Sequence, residues 1–190
     1  METKILHIKN MVCDRCITAV RQTLNDFQIP VIAINLGKVT IPDTPFDKQE
    51  LNEALQQIGF SLVEDKNETL TEQVKALLIE KIHYQTEPDK INYSDYLSHK
   101  LAMDYAHISK KFSKTEGLTI EKYIILQKIE KVKELIDYDE LNFSEIAYRL
   151  HYSSVAHLSK QFKKITGLTL SQYKQSDAAK RQSLDDLSPH

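Results

Sequence analysis

The C-terminal half of the chain contains an internal repeat, and this repeat constrains the fold more than any other feature. The segment AHISKKF at 106–112 recurs 50 residues later as AHLSKQF at 156–162. The motif GLT follows each copy, at 117–119 and again at 167–169. Because a repeated sequence predicts a repeated structure, the two copies are expected to share one local fold.

Each copy is predicted to contain two helices joined by a short turn. Upstream of the repeated segments, Leu97 and Leu101 match Ile146 and Leu150 at an offset of 49 rather than 50, so one residue is inserted near Ser153. Insertions are tolerated in turns, so this position marks a helix-turn-helix boundary. The predicted first helices cover about 94–101 and 144–150, and the predicted second helices cover about 104–115 and 153–165.

The second helix of each copy has one apolar face and one small, polar and basic face. Ile108 and Phe112, like their counterparts Leu158 and Phe162, lie four residues apart and are predicted to face the core. The opposite face carries Ala, Ser and Lys, which offer close approach, hydroxyl donors and cations. A lysine-rich face can also be only a solvated face of a helical bundle.

A long helix, predicted from about Thr119 to Ile136, joins the two copies. Its apolar residues recur at helical spacing. About 18 residues at 1.5 Å each give a length of about 27 Å, which is comparable with the ~34 Å of one DNA turn. This length favours two DNA-reading helices on one face of a duplex.

On these residues the chain resembles the AraC/XylS-type DNA-binding domain over 70–174. The two Ser-Lys-x-Phe helices, the run KIEKVKELI at 128–136 and the run FSEIA at 143–147 carry the resemblance. It implies a bacterial transcription regulator with an all-α domain of two helix-turn-helix units, whose second helices enter successive major grooves. Double-stranded DNA and RNA polymerase are the implied partners, and the oligomeric state is left open.

The resemblance also implies a set of DNA-contacting residues on the second helices and at their starts. For His107 and His157 a contact with DNA and packing at the helix flank stay open as alternatives. Lys114 and Lys164 are expected to touch phosphate. The expected set is Tyr105, Ala106, His107, Ser109, Lys110, Lys114, Ser154, Ala156, His157, Ser159, Lys160 and Lys164.

The sequence departs from the family at two turn positions. Ala102 and His151 stand where glycine is usual in the family. We therefore expect His151 to need a backbone conformation that residues other than glycine adopt at some cost.

The first 66 residues predict a separate α+β domain. Alternating and β-branched runs near 4–9, 31–36, 38–41 and 60–63 predict strands, and helical spacing between them predicts two helices. The order βαββαβ is that of a ferredoxin-like domain. The predicted organisation is therefore a ferredoxin-like domain at 1–66, a double helix-turn-helix domain at 67–176 and a polar tail at 177–190.

Both cysteines of the chain, Cys13 and Cys16, lie where the first strand meets the first helix. Two cysteines exclude a disulfide framework and a four-cysteine zinc site within one chain. The helix N-terminus is expected to favour the thiolate of Cys16. Two thiolates can bind Cu(I) or take part in Zn(II) coordination. A reversible disulfide and a purely structural role remain alternatives.

With the predicted order of strands and helices, the loop resembles that of the heavy-metal-associated domain over 4–64. The resemblance implies two-coordinate Cu(I) or a similar ion at Cys13 and Cys16, with Met11 as a buried support rather than a ligand. Asn10 stands where that family usually has glycine.

Composition and charge narrow the remaining classes of function. The chain is 41% hydrophobic and 27% charged with four glycines and five prolines, which is typical of a folded, helix-rich protein. A net charge of −2 means that any nucleic-acid site must be a local patch. Without a membrane-length apolar run or a signal segment, a cytoplasmic location is expected.

Catalytic motifs are missing from the sequence. It contains neither a glycine-rich phosphate loop nor a nucleophile elbow, so we expect no enzyme. Two alternatives to a metal-responsive regulator remain. One is a metal-handling or thiol-redox protein that uses Cys13 and Cys16, and the other is a regulator whose first domain only mediates protein contacts.

Overall fold

The computed structural model describes residues 2–84 and 92–176, which divide between Leu77 and Leu78 into an N-terminal unit and a C-terminal unit. The predicted polar tail at 177–190 lies outside the described residues. None of the helices within the described ranges is long and apolar enough to cross a membrane.

The N-terminal unit contains four strands and the helices that connect them. In chain order its elements are β1 (Thr3–Lys9), α1 (Asp14–Asp26), β2 (Ala33–Asn35), β3 (Lys38–Pro42), α2 (Lys48–Gln57) and β4 (Ser61–Val63). Helix α3 (Lys66–Ile79) spans the division between the units, and a π-helical turn (Glu80–Tyr84) follows it.

The strands form one antiparallel sheet in the order β2-β3-β1-β4. Because side chains alternate along a strand, Leu6 and Ile8 of β1 lie on the same face as Val39 of β3. These residues share one buried core with Val20 of α1 and Leu55 of α2. The expectation of a small four-stranded sheet with helices is thereby confirmed.

The C-terminal unit is helical in its described part. Its elements are α4 (Tyr93–Leu101), α5 (Tyr105–Glu116), α6 (Ile120–Tyr138), α7 (Phe143–Arg149), α8 (Val155–Thr166) and α9 (Leu170–Gln175). The pairs α4–α5 and α7–α8, called here the first and the second helix-turn-helix, are the two copies of the sequence repeat. Helix α6 joins them, and its 19 residues give a length of about 28 Å.

Equivalent aromatic pairs occupy the two copies. Phe112 meets Tyr123 edge-on with ring centroids 5.6 Å apart, and Phe162 meets Tyr173 in the same way at 5.5 Å. All four rings are buried. The predicted inward orientation of Phe112 and Phe162 is therefore confirmed.

The turns of both helix-turn-helix units contain a residue with left-handed backbone conformation. Ala102 is the C-cap of α4 at φ 50°, and His151 follows Leu150, the C-cap of α7, at φ 57°. Residues other than glycine adopt this region rarely, because Cβ approaches the backbone carbonyl. The expectation for His151 is confirmed, and Ala102 shares the conformation.

Similar caps fix the ends of α5 and α8. The Asp104 carboxylate accepts hydrogen bonds from the amides of Ala106 and His107, and the Ser154 hydroxyl accepts one from the amide of His157. Each helix ends at a glycine with positive φ, Gly117 or Gly167. These helices begin one or two residues later than predicted, because Asp104 and Ser154 are caps rather than first-turn residues.

Candidate nucleic-acid interface

Helix α5 presents an exposed face opposite its buried side. Ile108 is buried, whereas Ala106, His107, Lys110 and Lys114 are exposed. Ser109 is half-buried at the edge of this face. The sequence-predicted residues of α5 therefore lie together on one accessible surface.

Helix α8 repeats this surface position by position. Leu158 is buried, and the exposed residues are Ala156, His157, Lys160 and Lys164. Ser159 is half-buried, as Ser109 is in α5. We call the exposed sides of α5 and α8 the two reading faces.

Among the described residues, no acid neutralises the lysines of the reading faces. Within residues 2–84 and 92–176, Lys110, Lys114, Lys160 and Lys164 form no ion pair. Lysines without such partners offer their full charge to an anionic ligand such as a phosphate backbone.

Two residues of the predicted set have structural roles at the starts of the helices. Ser154 is the N-cap of α8. The Tyr105 hydroxyl donates a 2.7 Å hydrogen bond to Glu121 of α6. Burial, together with the Glu121 carboxylate, raises the pKa of Tyr105 to about 12. These contacts place both residues beside the reading faces and fix the helices that carry them.

Residues of the turn between α7 and α8 contact His157 on the α8 reading face. Ser153 Oγ lies 3.1 Å from His157 Nδ1, and the ring of Tyr152 packs edge-on against His157 with centroids 5.4 Å apart. The Tyr152 hydroxyl donates a 2.7 Å hydrogen bond to Gln161 Oε1, one turn further along α8. The turn that carries the inserted residue thus restrains the neighbouring helix face.

Lys128 of α6 is a contact centre that the sequence analysis missed. Its Nζ donates a 2.8 Å hydrogen bond to the carbonyl of Leu150 and lies 5.6 Å from the ring centroid of Tyr93 and 5.5 Å from that of Tyr152. Burial lowers the pKa of Lys128 to about 8. A lysine in an otherwise apolar helical stripe is the sequence signal that points to such a residue.

The cysteine pair lies at the start of α1 in the N-terminal unit. Cys13 Sγ and Cys16 Sγ are 3.2 Å apart, both residues are half-buried, and both are free thiols. Met11 beside them is buried, as the resemblance implied. Among the described residues, no cluster of three or more Cys, His, Asp or Glu side chains is arranged to hold a metal ion.

The expected thiolate at Cys16 is wrong for the free protein. Burial raises the pKa of the Cys16 thiol, and the neighbouring Cys13 thiol acts in the same direction. Hydrogen bonds from the backbone at Val12 and Cys13 act in the opposite direction but do not reverse the shift. The expectation counted the helix N-terminus and omitted the loss of hydration.

The repeat region is similar to a known family. Residues 97–176 match a family model described as a helix-turn-helix domain. The matched segment includes both reading faces and α6. No curated protein matches the chain.

Several solved structures are similar to the chain. The C-terminal domain of AraT, a response regulator from Geobacillus stearothermophilus, is 21% identical, with 58% of this chain and 88% of that chain covered and a TM-score of 0.48. The C-terminal domain of the two-component response regulator yesN from Fusobacterium nucleatum is 27% identical, with 54% and 99% covered and a TM-score of 0.46. The DNA-binding domain of AdpA, a global transcriptional factor solved with a target DNA, is 19% identical, with 55% and 88% covered and a TM-score of 0.45.

Proposed function

We propose that the chain is a DNA-binding transcription regulator of the AraC/XylS type, and that α5 and α8 enter successive major grooves. The observation that carries the proposal is the repetition of one exposed face on two capped helices. Each face offers two lysines without ion-pair partners among the described residues. The helix-turn-helix family match over 97–176 supports the same function.

The residues of each reading face suit different parts of a DNA site. Ala106 and Ala156 leave room for the helix to approach the base edges. The hydroxyls and Lys110 or Lys160 can donate hydrogen bonds to acceptors in the major groove. Lys114 and Lys164 stand one helical turn further along and are assigned to phosphates, which set position rather than sequence preference. RNA polymerase is the proposed protein partner at a regulated promoter.

Selection of binding sites from random duplex DNA tests this function directly. We expect enrichment of a site with two contact segments about one helical turn apart. Equilibrium binding to the selected duplex should weaken steeply with salt, because each phosphate contact adds about 0.9 to the slope of log K against log salt. Failure to enrich any sequence would contradict a sequence-specific regulator.

We infer that the N-terminal unit has the ferredoxin-like fold and contains a soft-metal site. The element order β1-α1-β2-β3-α2-β4 and the sheet order β2-β3-β1-β4 support the fold. Sulfur atoms 3.2 Å apart support a site at which one ion contacts both Cys13 and Cys16. Two thiolates suit Cu(I), but its near-linear two-coordinate geometry would require the sulfur atoms to move apart from their 3.2 Å separation, whereas Zn(II) would need further ligands from elsewhere.

The chemistry of the free thiols adds a condition to metal binding. Because the pKa of the Cys16 thiol is raised, binding must displace protons, and affinity should increase with pH. A bound ion would replace the weak contact between the thiols with two metal–sulfur bonds. The competing outcome is a Cys13–Cys16 disulfide, formed by loss of two electrons and two protons to an added oxidant.

Titration with Cu(I) and Zn(II) under reducing conditions tests the metal proposal. We expect one Cu(I) per chain in the wild-type protein and none in the double variant Cys13→Ser/Cys16→Ser, which should retain DNA binding. A DNA-binding isotherm at each metal saturation then shows whether the ion changes DNA affinity. Absence of metal binding tighter than micromolar, with loss of both free thiols after mild oxidation, would contradict the metal site and favour the disulfide.

A further inference from the structure

We propose that Lys128 is a positioning residue that contacts Tyr93 of the first helix-turn-helix and Tyr152 of the second. These contacts fix the orientation and spacing of the two units relative to each other, which we call their register. The proposal rests on the proposed function, because its consequence is measured on DNA. In this proposal α6 orients the two helix-turn-helix units as well as connecting them.

The contacts of Lys128 reach both copies of the repeat. Tyr93 is the first residue of α4, and its ring centroid lies 5.6 Å from Lys128 Nζ. Tyr152 stands in the turn before α8, with its ring centroid 5.5 Å from the same nitrogen. Both distances are within the ~6 Å range in which a cation is attracted to an aromatic ring.

A hydrogen bond strengthens the attachment to the second copy. Lys128 Nζ donates to the carbonyl of Leu150, the residue that ends α7, at 2.8 Å. Carbonyls in the last turn of a helix have no partner within the helix, so a cation there satisfies one of them. One ammonium group therefore contacts α7, the following turn and the start of α4.

The half-buried state of Lys128 argues against a merely solvated side chain. Burial lowers its pKa to about 8, which shows that its environment disfavours the charge. The two rings and the Leu150 carbonyl are the groups that compensate for this loss of hydration. Burial also raises the pKa of Tyr93 to about 12, so its ring is neutral near physiological pH.

Tyr152 extends the connection to the reading face of α8. Its hydroxyl donates to Gln161, and its ring packs against His157. The series Tyr93, Lys128, Tyr152 and His157 therefore runs without interruption from the start of α4 to an exposed residue of α8. Loss of the central cation should let α8 change its orientation relative to the first helix-turn-helix.

Register has a specific consequence for binding. Two reading faces held in a fixed arrangement bind two DNA segments as one unit, so the second contact is made at high effective concentration. The same rigidity penalises DNA with altered segment spacing. A protein with loosened register should bind the intact site more weakly and should tolerate a change of spacing.

The test compares Lys128→Met with the conservative Lys128→Arg and with Lys122→Met, a matched control at an exposed position of the same helix. Three duplexes are used: the selected site, a version with one base pair inserted between the segments, and a version with one segment randomised. For wild type, the insertion should weaken binding about tenfold or more. Lys128→Met should lose about tenfold on the intact site but bind the intact and inserted sites within about threefold of each other.

The remaining variants separate positioning from folding. All proteins should bind the one-segment duplex alike, Lys128→Arg should recover most of the discrimination, and Lys122→Met should match wild type. Tyr93→Leu, which removes the ring at the other end of the contact, should reproduce the loss of discrimination, whereas Tyr93→Phe should not. This pair decides the question if Lys128→Met fails to fold, as judged by circular dichroism and thermal melting.

Two results would overturn the proposal. A positioning role would be excluded if Lys128→Met and Tyr93→Leu both distinguished the intact from the inserted duplex as well as the wild-type protein does. Equal losses on all three duplexes would show a general folding defect instead of a change in register. If the wild-type protein binds none of the duplexes, the proposed function itself fails, and this inference fails with it.

Discussion

Lys128 is half-buried, so its charged form loses hydration that a neutral side chain would not need to replace. Its pKa is about 8 in the folded protein, against an ordinary value of 10.5. Between these two values the unfolded chain binds more protons than the folded protein. Stability must therefore increase with pH over this window, since folding is favoured as protons leave.

We expect this linkage to be visible in urea denaturation. The urea midpoint of the wild-type protein should increase between pH 7.5 and 9.5, and Lys128→Met should remove most of that increase. Lys122→Met serves as the control because Lys122 is exposed on the same helix. Equal pH dependence in wild type and Lys128→Met would show that the environment of Lys128 does not disfavour its charge.

The tyrosines limit this effect at higher pH. The pKa values of Tyr93 and Tyr105 are raised to about 12, so above pH 10 the unfolded chain loses tyrosine protons before the folded protein does. Stability must then decrease with pH. Together the lysine and the tyrosines predict a maximum of stability near pH 10.

The left-handed backbone conformation of Ala102 should reduce the free energy of unfolding by a measurable amount. Its φ of 50° suits glycine, so Ala102→Gly should stabilise the protein by up to about 1 kcal/mol, less the extra freedom that glycine gains in the unfolded chain. Ala102→Val should destabilise it, because a β-branched residue fits this region worse. Urea denaturation of the two variants measures both effects, and a change of the same sign in both would contradict the left-handed turn.

The elements of the repeat depend on their aromatic pairs. Phe112 and Phe162 are 1% and 0% exposed and lie against Tyr123 and Tyr173. Each pair joins a second helix to the helix that follows it, so these rings hold α5 against α6 and α8 against α9. Removing a ring leaves a cavity that the surrounding helices cannot fully close.

Phe112→Ala and Phe162→Ala should therefore each lower the free energy of unfolding by about 3–5 kcal/mol. Tyr148→Ala is the control, because Tyr148 is 72% exposed and its removal should change stability by less than about 0.5 kcal/mol. Chemical denaturation measures all three. An unchanged midpoint in either phenylalanine variant would mean that its ring is not part of the core.

The repeat explains why sequence reasoning reached the elements but not every contact. Helical spacing predicted which side of α5 and α8 is buried, since it depends only on neighbours three and four residues apart. The contacts of Lys128 with Tyr93 and Tyr152 join residues far apart in sequence, and periodicity carries no information about such partners. The thiolate expectation for Cys16 failed for a related reason, because hydration at Cys16 depends on residues that pack around it.

At the scale of the whole chain, a sheet-containing unit with two thiols precedes a helical unit with two reading faces. We propose that both faces contact DNA, because the exposed lysines recur at equivalent positions on α5 and α8. A single functional helix would leave the second face without a reason for this similarity.

Equilibrium binding of Lys110→Ala, Lys160→Ala and the double variant to the selected duplex, at physiological salt, tests that claim most directly. Lys111→Ala is the control, because this substitution removes the same charge at a half-buried position on the flank of α5. Substitution of a lysine that contacts a base should weaken binding by about 1–3 kcal/mol, and the control substitution should weaken it less. We expect weaker binding in both single variants and a larger loss in the double variant, whereas unchanged binding in all three variants would contradict DNA contact by both faces.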